Sequence, residues 1–201
     1  TPTSLLIQLL HETSEQPQQY VLDKIIFPVI RSYFSVLSRL GIQLELHGQN
    51  ALLGLNDTFK PIGIVVRDLG DAGKDLSLRR ELGVSDIFLS NTYKCIERHQ
   101  TEYQKIHSFM FDFKVGEYIF EPIIKEVISN FRVKREAMIS NIKEFVNNEL
   151  LELPDYIFPQ DGSWYSFDKT RFGTDRFYTR NLSPNVTVVQ SDAIGKKWHK
   201  T

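Results

Sequence analysis

The chain has 201 residues, 41% hydrophobic and 24% charged, with a net charge of −1 and one cysteine. That apolar content suffices for a packed core and excludes wholesale disorder, while the balanced charge argues against a general nucleic-acid binder. One cysteine makes neither an internal disulfide nor a cysteine-based zinc or iron–sulfur site, and it fits a reducing, cytoplasmic setting.

No apolar run approaches ~20 residues, so no membrane span is expected. The opening Thr1-Pro2-Thr3 has neither a methionine nor a signal-peptide pattern. It reads either as a processed start or as a cut from a longer chain. Residues 4–12 are mostly apolar and predict a short helix capped by Ser4 or Thr3. Apolar side chains at helical spacing from Val21 to Leu40 predict a second helix, stopped by Gly41 and disturbed near Pro28. The period then changes. Ile42-Gln43-Leu44-Glu45-Leu46-His47 alternates, which predicts a strand with Ile42, Leu44 and Leu46 inward and Gln43, Glu45 and His47 on the other face. Residues 51–55 predict the next strand. Pro61 to Val66 is nearly all apolar and reads as a strand buried on both faces. It ends in the charged turn Arg67-Asp68-Leu69-Gly70-Asp71.

From about 75 to 150 the pattern is mainly helical, clearest from Val133 to Leu151. Residues 86–111 predict one or two helices, with Cys95 in the core. Phe109, Phe111, Phe113, Tyr118 and Phe120 read as core packing. Lys125, Lys134 and Arg135 read as a solvated helix face, and His99 and His107 as ordinary surface or core histidines. Residues 164–178 suit a short hairpin, with Tyr165, Lys169 and Arg171 near it, and 190–201 read as a tail. The expected fold class is α+β: a small antiparallel strand group, then a mainly helical region with a short C-terminal hairpin.

The chemistry concentrates between 45 and 71. If the strands are neighbours, Glu45, His47, Asn50, Arg67 and Asp68 converge on one cleft. Carboxylates and an amide oxygen are the ligands Mg²⁺ prefers, and an arginine can grip an anion in bidentate fashion. Protein kinases, where an Asn and an Asp-x-Gly aspartate hold metal ions, offer a functional analogy. The same residues also suit a solvated strand face and a surface turn.

Leu44-Glu45-Leu46-His47-Gly48-Gln49-Asn50, followed by Ile64-Val65-Val66-Arg67-Asp68-Leu69-Gly70, resembles the signature of the IucA/IucC family, the NRPS-independent siderophore synthetases. The resemblance is firmest over residues 30–75 and extends more loosely to about 185, through Asn181-Leu182-Ser183-Pro184-Asn185. It implies a hand-like fold, with 1–74 as part of the palm, 75–189 as a helical, thumb-like region and 190–201 as a tail. It implies an ATP-dependent ligase using Mg²⁺. Such an enzyme adenylates citrate or a related carboxylate, then condenses it with an amine, hydroxylamine or alcohol. By motif match, His47 and Arg67 are the candidate catalytic residues, Gln49, Asn50 and Asp68 contact the nucleotide, and Glu45, Asn50 and Asp68 meet the metal. The implied partners are small molecules, neither nucleic acid nor membrane, and the resemblance admits a homodimer. The family's other ATP-binding residues lie before the His-Gln-Asn block. Only 46 residues precede His47 and they lack that group, so the chain alone is expected to be weak or inactive. Two other readings stay open: a non-catalytic binding or assembly module of the same fold, and a ferric-siderophore reductase-like protein, which one cysteine disfavours.

Overall fold

The computed structural model describes residues 4–85, 94–101 and 103–158. Helix α1, Leu5–Glu12, starts at Ser4, whose hydroxyl oxygen accepts from the Ile7 amide, a side-chain N-cap as expected. Helix α2, Pro17–Val21, passes through a π-turn, Leu22–Ile26, into α3, Phe27–Leu40. The disturbance expected near Pro28 takes this form. Proline has no amide hydrogen and its ring crowds the carbonyl four residues back. The wider turn just upstream, in which the Phe27 amide bonds to the Leu22 carbonyl, accommodates it. Gly41 ends α3 in the left-handed region at φ 60°. An added Cβ there would lie 2.5 Å from Arg79 Cγ.

The expected strand over 42–47 shortens to β1, Ile42–Gln43. The alternation survives as burial: Leu44 and Leu46 enter the core, and Glu45 and His47 stay partly exposed. Gln43 departs from its expected solvated face. It is 1% exposed because its amide nitrogen meets the ring of buried His107, 3.1 Å from Nδ1. Strands β2, Ala51–Leu55, and β3, Pro61–Val66, form an antiparallel hairpin with an irregularity at Gly54/Leu55. Contrary to expectation β3 is not buried on both faces, since Ile62 and Val65 are exposed. A two-stranded hairpin packs on one side only, so its second apolar row faces outward. A 3-10 turn, Leu69–Asp71, leads to β4, Gly73–Asp75, and helix α4, Leu76–Leu82.

β1 pairs antiparallel with β4 and not with the hairpin; β4 pairs in parallel with β5, Lys94–Ile96. The cysteine was expected on a helix and in the core. It lies in β5 and is exposed, because strand alternation sends Ile96 inward instead. Helix α5, Tyr103–Phe109, widens into a π-segment, Met110–Phe120, and continues as α6, Glu121–Asn130; helix α7 is Arg135–Leu150. The α+β class stands. The expected hairpin at 164–178, with Tyr165, Lys169 and Arg171, the motif at 181–185, the tail 190–201 and Thr3 lie outside the described residues. Among the described residues no helix is long and apolar enough to cross a membrane.

The core forms where α3 meets the π-segment and α7. Tyr33, Phe34 and Leu37 pack with Phe111 and Phe120, and Phe34 lies 5.0 Å from the Phe111 ring and 5.9 Å from that of Phe158. Phe27 stacks on Phe145 at 4.1 Å and ties α3 to α7.

A buried polar network fixes the small sheet beside this core. Asp75 is the N-cap of α4, its Oδ1 accepting from the Leu78 amide at 2.9 Å. Its Oδ2 accepts from the Tyr103 hydroxyl at 2.5 Å and lies 3.0 Å from His107 Nε2. Burial alone would raise the Asp75 pKa. The hydrogen bonds from His107, the Leu78 amide and Tyr103 outweigh it, and the carboxyl titrates below its usual range. Burial, then the bond to Asp75, pushes the Tyr103 phenol up. Through His107 the network reaches Gln43 and so holds β1, two residues before Glu45.

Candidate functional site

Leu44 and Leu46 act as two anchors. With both in the core, Glu45 turns the other way and meets Lys114 of the π-segment, Nζ to Oε1 2.6 Å. The two side chains are only 9% and 23% exposed, so the pair is largely withdrawn from water. A tight turn follows. The amides of Asn50 and Ala51 both reach the His47 carbonyl, at 2.9 and 3.0 Å. His47 Nδ1 accepts from the Gln49 amide at 3.2 Å, which leaves the proton of the neutral ring on Nε2 as a donor. Asn50 is 6% exposed; its Nδ2 donates to the Glu45 carbonyl at 3.2 Å, leaving its own amide oxygen as an acceptor.

The second motif reaches this turn through the hairpin register. Ala51 opposes Val66, which sets Arg67 beside Asn50. The Arg67 amide bonds to the Asn50 carbonyl at 3.0 Å, and its Nε donates to the Gln49 carbonyl at 2.7 Å. Glu45, His47, Gln49, Asn50 and Arg67 are therefore brought together, although by a turn and a hairpin rather than by neighbouring strands. Asp68 stands at the outer end, exposed, in the left-handed region at φ 56°, with Oδ1 accepting from the Gly70 amide. Aspartate tolerates this conformation better than most residues.

His47, Gly48, Gln49, Lys114 and Tyr118 line a cleft of about 370 Å³. Tyr118, expected in the core with the neighbouring phenylalanines, is 45% exposed at its rim. A π-segment places side chains off the α-helical stripe on which that expectation rested. Lys114 was missed. Its signal was present, as the single cation in the aromatic-rich run from Phe109 to Phe120. Arg135, expected on a solvated face, pairs with buried Glu121 at 2.8 Å. His99 is exposed beside Glu97, and His107 belongs to the buried network. Among the described residues no three His, Cys, Asp or Glu side chains gather as a metal centre. Glu45, Asn50 and Asp68 still match Mg²⁺ in ligand type, with hard oxygens on each.

Residues 18–154 match the family described as ferric iron reductase FhuF-like transporter. The chain belongs to the FhuF-like family. A protein of Aspergillus thermomutatus, described as NRPS-independent siderophore synthetase-like protein ankE, is 26% identical over 147 residues, 73% of this chain and 24% of that protein. This FhuF-like chain thus spans about a quarter of the length of the curated relative it matches. No solved structure matches. The two comparisons agree on a siderophore-related protein, and the similarity expected from the two motifs holds over most of the chain.

Proposed function

We propose that this chain is the C-terminal part of a cytoplasmic, ATP-dependent siderophore synthetase, which activates a carboxylate such as citrate and condenses it with an amine, hydroxylamine or alcohol. The observation that carries the reading is the joining of the two motifs by the Arg67 bonds to Gln49 and Asn50. His47 Nε2 and the Gln49 side-chain carboxamide offer neutral donors to phosphate or carboxylate oxygens. The Arg67 guanidinium holds the turn through Nε and keeps its outer nitrogens for an anion. Glu45, Asn50 and Asp68 would hold Mg²⁺, which would offset the phosphate charge. Positioning and charge compensation dominate such chemistry, so a preset turn suits it.

The test is turnover of the full-length protein with citrate and candidate amines, read as AMP or hydroxamate formation. His47→Ala and Asp68→Asn should each lower it by about 100-fold or more. Asparagine tolerates the backbone of position 68 and keeps its cap, so Asp68→Asn removes charge and little else. Unchanged turnover in both variants would sink the assignment. The family match also favours a second reading, a ferric-siderophore reductase-like role.

A further inference from the structure

Lys114 is absent from both motifs, yet it is the ammonium group at the cleft. Three observations bear on it. Its Nζ is held 2.6 Å from Glu45 in a pair largely out of water. Three side chains around the same cleft can donate: His47 through Nε2, Gln49 through its carboxamide and Tyr118 through its hydroxyl. The π-segment offsets Lys114 from the buried Phe113 and Val115 on either side of it. A cation kept on a carboxylate at the mouth of a donor-lined cleft is preset to exchange that partner for an incoming oxyanion.

We propose that Lys114 is the anion-binding residue of this cleft, held by Glu45 when the cleft is empty and turned to a phosphate or carboxylate oxygen of the ligand when it is filled. This rests on the reading of the cleft as a substrate site, but not on the reaction catalysed there. When Glu45 meets Mg²⁺ instead, Lys114 is released, so metal and anion would favour each other's binding.

The test is calorimetric titration of the chain with pyrophosphate and, separately, with citrate, in EDTA so that no metal contributes. Lys114→Met should weaken binding by about tenfold to a hundredfold, the loss of a charge-assisted hydrogen bond. Lys114→Arg should keep most of it. Glu45→Gln removes the competing partner and should tighten it, by about threefold to tenfold. A purely structural ion pair would give the opposite result for Glu45→Gln. Binding of pyrophosphate alone assigns the site to the nucleotide phosphates, and of citrate alone to the carboxylate substrate. Binding of neither by the wild-type chain overturns the proposal, as does a Glu45→Gln variant that binds no more tightly. If Lys114→Met fails to fold, the Glu45→Gln result decides. A wild-type full-length protein that forms neither AMP nor hydroxamate would end the synthetase reading and leave this one standing.

Discussion

At the scale of single residues, Asp75 joins the buried network that holds β1, two residues before Glu45. Its pKa is lowered in the folded protein, so its share of stability is present above its unfolded value near ~4 and lost as pH falls through the folded value. Urea unfolding of the wild type from pH 7 to pH 3 should show that loss below about pH 4. Asp75→Asn should cost about 2–4 kcal/mol at pH 7 and flatten the acid limb. Gly41 is a second such position. Gly41→Ala forces a left-handed backbone on alanine and brings its Cβ against Arg79. About 1–3 kcal/mol should be lost in the same assay. Gly41 was legible in the sequence as a helix stop. The role of Gln43 was not, because alternation assigns a face but does not name a partner sixty-four residues away.

At the scale of elements, the long second helix was legible from its spacing, and its π-turn follows from one proline. Ile30 and Leu37 of α3 are both fully buried. Ile30→Ala or Leu37→Ala should cost about 2–5 kcal/mol by denaturant midpoint. Leu52→Ala on the outward hairpin face should cost well under that, about 0.5 kcal/mol. The strand carrying Glu45 and His47 was only partly legible. Its inward leucines were correct, but its hydrogen-bonded length was not, because burial of two side chains sets alternation without a ladder partner. The π-segment left no distinct signal, since a run this rich in aromatic and aliphatic residues reads as helix of any pitch. Lys114 and Tyr118 were lost with it.

At the scale of the whole molecule, kinship and site location came from words in the sequence, while pairing came from the fold. The motifs lie seventeen residues apart from Asn50 to Arg67, and a hairpin closes that distance. Parallel pairing of β4 with β5 could not be read, because β5 is three residues long and carries no alternating run. The reductase-like reading has its own test. One exposed thiol cannot supply the ligands of an iron–sulfur cluster. Anaerobic reconstitution of the chain with ferrous iron and sulfide should therefore leave it without cluster absorbance. A stable cluster would favour electron transfer over ligation.

The Asp75 network also constrains the order in which the chain matures. Gln43, Asp75 and the pair Tyr103 and His107 come from three separate stretches. During synthesis the first two emerge well before their partners. Until α5 is available, the carboxylate has the Leu78 amide on Oδ1 but only water on Oδ2, so β4 cannot be sealed against the core. Helices α1 to α3 hold local contacts and can form early, whereas the β1–β4–β5 sheet must wait for a long loop to close. A nascent chain stalled before Tyr103 would present both motifs without the buried network that holds β1, two residues before Glu45.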